Sequence, residues 1–223
     1  MIQFQSFLET EKCKKLLNNK VCLIVCTGKT IGIYNDKIQS YIKNNRPTIF
    51  AVNQYPDFFK YIPHIHLFTN NHRWDECKNS INSKSILMLG CRIKTPPKDN
   101  NYIKINYTDK NPDEKISYNN GIIYGYYRSV GGLGIMIAYL MKFETILVVG
   151  MDGHNLKDEY IHYYKDSENS FYGKVDISHR EIFNPVMSKV LDNIKLYGIK
   201  FSLVTPTLFY KHFQNNIISK IEH

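Results

Sequence analysis

The sequence has no long apolar run and no CxxC pair of cysteines. Nothing in it approaches the roughly 18 consecutive apolar residues that a membrane-spanning helix needs, so we expect no such helix. Residues 1–20 are polar and contain no apolar segment followed by a small-residue cleavage site, so we expect no secretion signal. The five cysteines are an odd number without a CxxC pair, which predicts reduced thiols and a cytoplasmic protein.

The formal net charge of the 223-residue chain is +9, which favours anionic partners such as nucleotides, nucleic acid or an acidic membrane surface. The positive side chains are scattered and form no dense block, which argues against nucleic acid as the partner. No group of cysteines and histidines has the spacing of zinc ligands, so we expect no metal site of that type.

Short apolar runs rich in β-branched residues recur along the chain, and each predicts a strand. Seven runs have this pattern: residues 21–25, 48–52, 64–68, 85–89, 102–105, 145–149 and 200–204. The run at 64–68 alternates polar and apolar residues, which predicts a strand with one exposed face. Residues 131–141 predict a buried helix because they are apolar nearly all round, and residues 182–197 predict a second helix that stops at Gly198.

This alternation of strands and helices predicts an α/β fold: one Rossmann-like domain over residues 1–223, with a mostly parallel sheet covered by helices on both faces. Two segments interrupt the alternation. Residues 94–120 are polar and are expected to form a loop, and residues 152–179 are polar and aromatic without periodicity. A long irregular segment after a core strand is usually functional, so we expect a lid there. The tail at 208–221 predicts a terminal helix, with contact to a membrane surface as the alternative.

Ligands of such sheets bind beyond the carboxyl ends of the strands, where the strand order reverses. Thr27, Gly28 and Lys29 follow the first predicted strand and could present backbone amides to a phosphate. The glycine spacings of a P-loop and of GxGxxG are both absent, and a simple tight turn is an equal alternative. Asn53 and Gln54 follow the second strand, where Asn53 could bind ribose, base or sugar groups, or cap the next turn.

Arg128, Ser129 and Gly131 open the apolar helix, whose start contains three glycines. Each glycine costs roughly 1 kcal/mol relative to alanine in a helix. Close approach of a phosphate or sugar to the helix start would offset this cost, with Ser129 as the cap and Arg128 as a positive charge. Tight packing of the helix on the sheet is the alternative.

Polar residues after the sixth strand complete the candidate set. Asp152 could bind a metal, contact a ribose or hold the loop backbone. His154 and Tyr160 are suited to donate hydrogen bonds to a departing phosphate. His179 precedes the last predicted helix and could accept a proton near neutral pH, although a structural role is the common one for a lone histidine.

In their order along the chain, these segments resemble the small bacterial sialyltransferases that use CMP-activated sialic acid. The resemblance rests on a small-residue turn after the first strand, FxxNQY at 50–55, a glycine-rich apolar helix running into a strand that ends in GxD at 150–152, a Tyr/His loop, and a helix, strand and TP turn. It covers roughly residues 21–213. The related motility-accessory-factor proteins and an archaeal hydroxymethyl-pterin pyrophosphokinase belong to the same broad superfamily.

The resemblance implies an inverting glycosyltransferase that moves a nonulosonic sugar from a CMP donor to a surface glycan acceptor, without a metal or other cofactor. It assigns His179 as the base, Tyr160 and His154 to the departing phosphate, and Asp152 to holding the loop. The remaining candidates would contact the donor: Thr27, Gly28, Lys29, Asn53, Gln54, Arg128, Ser129 and Gly131. His154 stands where the family has tyrosine, and the turn at 27–29 lacks the family's Asn-Gly-Pro-Ser, which puts the nucleotide choice in doubt.

Two other functions stay open. A pyrophosphokinase would require Mg²⁺, with Asp152 as a ligand and Lys29 or Arg128 on the phosphates. A non-catalytic nucleotide- or RNA-binding protein would also suit the basic charge, but it would not need the Tyr/His segment. A lipid-linked acceptor, peripheral contact with the inner membrane and a homo-oligomer are further possibilities that the sequence leaves open.

Overall fold

The computed structural model describes residues 1–108, 116–125, 127, 129–154, 162–163 and 177–214, without the side chains of 177–180. Within these residues ten strands are present: β1 (Ile2–Gln3), β2 (Val21–Val25), β3 (Thr48–Val52), β4 (Ile65–Phe68), β5 (Ile86–Gly90), β6 (Ile103–Tyr107), β7 (Ser117–Asn119), β8 (Ile122–Tyr124), β9 (Thr145–Val149) and β10 (Phe201–Leu203). The α-helices of the same residues are α1 (Phe4–Leu8), α2 (Glu11–Leu16), α3 (Thr30–Ile33), α4 (Asn35–Asn45), α5 (Asn71–Cys77), α6 (Val130–Leu140) and α7 (Ile177–Leu196).

The strands form one sheet in the order β10-β9-β2-β3-β4-β5-β6-β8-β7, with β1 paired to β6. All pairings are parallel except that of β7 with β8. From β2 the chain adds strands β3 to β8 on one side, and then returns to place β9 and β10 on the other side. The strand order therefore reverses at β2, between β3 and β9. The predicted Rossmann-like α/β fold is confirmed.

Helices cover both faces of the sheet because successive side chains of each central strand point to opposite sides and are apolar on both. On one face Ile24 and Phe50 join residues of α1, α2, α6 and α7 in a large core. On the other face Leu23 and Ile49 pack with residues of α3 and α4. Within the described residues, no helix is both long enough and apolar enough to cross a bilayer.

The seven predicted strands are all present, and their bounds differ from the predicted ones by at most two residues. The expectation of an exposed face on β4 is wrong, because all four of its residues are buried. The polar residue His66 shares its face with Phe68, whose ring meets the Trp74 ring of α5 edge-on at 5.6 Å. A helix therefore covers the face that the alternating pattern assigned to solvent.

Other differences lie where the sequence carries weak periodicity. The segment 94–120, interpreted as a loop or small excursion apart from the strand predicted at 102–105, also contributes the hairpin strand β7. Helix α7 begins five residues before the predicted start at 182. In the described part of the tail, Tyr210–His212 form a 3-10 helix, and residues 215–221 of the predicted terminal helix lie outside the described residues. The short elements β1, α1, α2, α4 and α5 were not predicted at all.

Acidification should destabilise the fold through its buried histidines. Burial lowers the pKa of His66 to about 4, with a partly opposing contribution from its hydrogen bond to the Asn53 carbonyl. The unfolded chain therefore takes up a proton below about pH 6.5, while the folded chain resists protonation until about pH 4. Stability is lost as the pH falls through this window, by about 1.4 kcal/mol per pH unit for a fully shifted histidine.

The variant His66→Gln keeps an N–H donor for the Asn53 carbonyl but removes this titration. The free energy of unfolding is measured in urea at pH 7 and at pH 5 for both proteins. The decrease from pH 7 to pH 5 should be about 2 kcal/mol smaller in the variant than in the wild type. Equal losses in the two proteins would show that His66 is not the group responsible.

Candidate functional site

A cavity of about 320 Å³ lies at the carboxyl ends of the central strands. Its wall is formed by the turns that follow β2, β3, β4 and β9, by the first residues of α6, and by side chains of α5 and α7. It is therefore located where the strand order reverses, which is the expected position for a ligand in a sheet of this type.

Seven of the twelve predicted site residues line this cavity: Thr27, Gly28, Asn53, Ser129, Gly131, Asp152 and His154. They come from four separate segments of the chain, which the fold brings together. Lys29 and Gln54 are not among the described lining residues. Arg128 and Tyr160 lie outside the described residues, and His179 lies in α7 with its side chain outside the description.

The turn after β2 is joined to the turn after β9 by backbone hydrogen bonds. The amide of Cys26 donates to the Val149 carbonyl at 2.9 Å, and that of Gly28 donates to the Gly150 carbonyl at 2.8 Å. A Cβ atom on Gly28 would lie 2.4 Å from the carboxyl carbon of Asp152, so only glycine fits there. Since the Gly28 amide donates to the protein itself, a phosphate in the cavity needs another donor.

Asp152 binds the start of α3 through both of its carboxylate oxygens. The Thr30 amide donates to Oδ2 at 2.8 Å, and the Thr30 hydroxyl donates to Oδ1 at 2.5 Å. The Asp152 carbonyl accepts from the Leu208 amide at 2.8 Å. Of the roles considered for Asp152, these contacts favour the one of holding the loop. Within the described residues, no three histidine, cysteine or acidic side chains cluster as a metal site would require.

The turn after β10 supports the turn after β9. The hydroxyl of Thr205 accepts from the Gly150 amide at 2.9 Å, and the hydroxyl of Thr207 donates to the Met151 carbonyl at 2.7 Å. Both threonines are buried. Gly150 has φ +70°, a conformation that side chains other than glycine rarely adopt. The TP turn thus fixes the backbone from which Asp152 and His154 extend.

Asn53 is the residue best placed to bind a ligand. Its backbone is left-handed, with φ 55°, and is fixed because its amide donates to the Leu67 carbonyl at 3.1 Å while its carbonyl accepts from Nε2 of His66. Its side-chain Oδ1 is buried and has no hydrogen-bond partner among the described residues. A buried acceptor without a partner is costly, so a ligand donor in the cavity would relieve it. The alternative role of capping the next turn would have occupied this oxygen.

The start of α6 is shaped by packing as well as by its position in the cavity wall. The Ser129 hydroxyl caps the helix by accepting from the Gly132 amide at 3.2 Å, as predicted. A Cβ atom on Gly131 would lie 2.6 Å from the Met151 side chain and 2.9 Å from the Cys26 sulfur. Close contact with the turns after β2 and β9 therefore accounts for this glycine. Because Gly131 also lines the cavity, a contact with a ligand is compatible with this packing.

Two residues of the predicted lid, His162 and Tyr163, lie against the turn after β2. Nδ1 of His162 is 3.0 Å from the Thr27 hydroxyl, and the Tyr163 amide donates to the Thr27 carbonyl at 3.0 Å. His162 also lines the cavity. Burial, reinforced by the positive charge of Arg73, lowers the pKa of His162 to about 4, so its imidazole is neutral at pH 7.

His154 also lines the cavity and is held by α7. Its ring stacks on that of Phe183, with centroids 4.0 Å apart and an interplanar angle of 10°. Its backbone forms a two-way pair with the Asn184 side chain, with both hydrogen bonds at 2.8 Å. This arrangement holds the imidazole in the cavity wall, where it could donate a hydrogen bond to a ligand.

Sequence reasoning missed Thr69, Asn70 and Arg73, which reach the cavity from the end of β4 and from α5. A second cavity of about 300 Å³ adjoins the first and shares Thr69, Asn70, Ser129 and Val130 with it. Asn70 caps α5, since its side chain accepts from the amides of His72 and Arg73. An asparagine just after a strand, followed by an Arg/Glu pair at helical spacing, is the signal that could have identified this helix and its arginine.

Comparisons of the chain with protein families, with curated proteins and with solved structures found no match. The resemblance to the sialyltransferases therefore stays a prediction from the sequence.

Removal of the Asp152 carboxylate should loosen the cavity wall. Asp152→Ala leaves the Thr30 amide and hydroxyl without their acceptors, and we expect the free energy of unfolding to drop by about 2 kcal/mol. Asp57→Ala, a change of an exposed carboxylate, should alter it by less than about 0.5 kcal/mol. Urea denaturation measures both.

A double-mutant cycle of Asp152→Ala with Thr30→Val isolates the contact, with an expected coupling of about 1 kcal/mol. If Asp152→Ala is as mild as Asp57→Ala, the carboxylate does not hold the loop, and a role in binding metal or ribose becomes the better explanation.

Proposed function

We propose that the chain is a glycosyltransferase that binds a CMP-activated, sialic-acid-like sugar in the cavity at the carboxyl ends of the strands. The sugar is transferred, with inversion at its anomeric carbon, to a hydroxyl of a glycan acceptor. The observation that carries the proposal is the convergence of seven residues, expected at such a site from the resemblance, around one cavity. A volume of about 320 Å³ is within the range of small-molecule sites.

The groups in the cavity wall suit such a donor. The buried Oδ1 of Asn53, which has no partner in the described part of the chain, can accept a hydrogen bond from an amino or hydroxyl group of the nucleoside. The imidazole of His154 lines the cavity and is held by stacking on Phe183, and a donor that is positioned in advance costs no reorganisation during the reaction.

The proposed chemistry is a single displacement. His179 takes the proton of the acceptor hydroxyl as its oxygen bonds to the anomeric carbon, and the bond from that carbon to the phosphate oxygen breaks. CMP leaves with the electron pair of the broken bond, and His154 and Tyr160 stabilise its phosphate. The second cavity, which adjoins the first along α6, gives the acceptor a route to the anomeric carbon.

The contacts of Asp152 favour this reaction over Mg²⁺-dependent pyrophosphate transfer. Its two carboxylate oxygens accept hydrogen bonds from Thr30, at 2.8 and 2.5 Å, so a metal would have to displace the contact that holds the start of α3. The proposal accordingly includes no metal and no cofactor. We also propose that the enzyme acts in the cytoplasm, at an anionic membrane surface to which its net charge of +9 would attract it.

A matched pair of variants tests the site. Asn53→Gly removes the side chain but tolerates the left-handed backbone at this position, and it should weaken CMP binding about tenfold or more, since a buried hydrogen bond is lost. Asn44→Ala, which removes an exposed amide of α4 outside the described cavity wall, should change the affinity by less than about twofold. Isothermal titration calorimetry measures both affinities, and equal effects of the two variants would contradict the proposed site.

The nucleotide that the protein binds, and whether binding requires Mg²⁺, distinguish glycosyl transfer from pyrophosphate transfer. CMP and CDP should raise the melting temperature of the wild type equally in EDTA and in Mg²⁺. Transfer from a CMP-activated sialic acid should be lost in His179→Ala and reduced in His154→Ala. Stabilisation by ATP that requires Mg²⁺ would replace the proposal with pyrophosphate transfer, and no response to any nucleotide would contradict both.

A further inference from the structure

We infer that Arg73 forms an oxyanion subsite in the cavity, which binds a phosphate or carboxylate group of the ligand. Neither the sequence patterns nor the resemblance assigned this residue. The inference rests on the proposed function only in treating the cavity as the ligand site, and it names the group that is recognised there.

Arg73 is a buried charge in the wall of a cavity. It lies on α5, its side chain is 6% exposed, and its guanidinium keeps its charge at all physiological pH values. Burial of such a charge is costly unless negative groups compensate it. Glu76, one turn further on, provides Oε2 at 2.8 Å from Nη1, but its own side chain is 30% exposed. Arg73 therefore lines the cavity as a buried cation, and Glu76, the more exposed member of the pair, supplies a compensating negative charge.

Three backbone amides at this edge of the sheet that could hold an anion already bind the protein. The Gly28 amide donates to the Gly150 carbonyl, the Thr30 amide donates to Asp152, and the Gly132 amide at the start of α6 donates to Ser129. Within the described part of the cavity wall, Arg73 supplies the one permanent positive charge. An oxyanion that enters the cavity is therefore expected to move toward it.

The effect of Arg73 on its surroundings supports this position. Its charge adds to burial in lowering the pKa of His162, which lines the same cavity. A guanidinium presents five N–H donors in a plane and matches the paired oxygens of a carboxylate or a phosphate. A CMP-activated sialic acid carries both a phosphate and a carboxylate. Both groups are oxyanions, so either one could bind the guanidinium.

The test uses variants that act in opposite directions. Arg73→Met keeps the length of the apolar stem and should weaken binding of the oxyanion ligand on the order of tenfold or more, and Arg73→Lys should weaken it less because it retains a point charge. Glu76→Gln removes the negative charge beside the guanidinium and should tighten binding about twofold or more. Arg46→Met, at the exposed end of α4, matches the charge change of Arg73→Met and should leave affinity unchanged.

The affinities of the full-length protein for cytidine, CMP, free N-acetylneuraminate and inorganic phosphate are measured by calorimetry, with urea denaturation of each variant to confirm folding. A loss in Arg73→Met for CMP but not for cytidine identifies a phosphate subsite, and a loss for N-acetylneuraminate alone identifies a carboxylate subsite. Tighter binding in Glu76→Gln cannot result from destabilisation, so it supports the inference even if Arg73→Met folds poorly.

The failure of the inference differs from that of the proposed function. If CMP binds the wild type and Arg73→Met equally well, the subsite is overturned while the nucleotide site stands. If CMP does not bind but inorganic phosphate binds in an Arg73-dependent manner, the subsite stands and the CMP-dependent reaction is overturned. If Arg73→Met and Glu76→Gln both lose stability with no change in any affinity, or if none of the four ligands binds, Arg73 is a structural residue.

Discussion

The junction between the turns after β2 and β9 is the contact on which the geometry of the cavity depends. Because β2 pairs with β9 as well as with β3, the two turns emerge side by side at the point where the strand order reverses. The amides of Cys26 and Gly28 then bind the carbonyls at the end of β9, and Asp152 binds the start of α3. The turn after β10 supports the same loop through two buried threonines. One network thus joins three strand ends and a helix, which leaves the facing side of the cavity to Asn53, α5 and α6.

Much of this arrangement follows from local sequence patterns. Strands β2, β3 and β9 are runs of β-branched and apolar residues that a parallel sheet buries on both faces, and their bounds agree with the prediction to the residue. The position of the cavity follows from the same alternation of strands and helices, since strand ends gather at one edge. The capping role of Ser129 could also be predicted, because a serine directly before an apolar helix is a common start signal.

The remainder depends on contacts between segments that are distant in the sequence. The alternation of polar and apolar residues in β4 predicted an exposed face, but α5 covers that face. The sequence of residues 64–68 alone does not indicate that a helix packs there. Arg73 was missed because an arginine in a short polar segment is ordinarily exposed. Its candidate role depends on its burial beside the ends of other strands, which the local sequence does not show. The sequence predicts that the Gly28 amide can bind a phosphate, but this amide donates to the Gly150 carbonyl, a contact that depends on the pairing of β2 with β9.

The central claim is that the cavity at the strand ends binds the nucleotide part of an activated sugar. The most direct test is a crystal structure of the protein grown with CMP. The account predicts CMP in this cavity, with Oδ1 of Asn53 accepting a hydrogen bond from the nucleoside and the phosphate within hydrogen-bond distance of the Arg73 guanidinium. CMP bound at a different surface, with Asn53 and Arg73 unchanged and the cavity unoccupied, would contradict it.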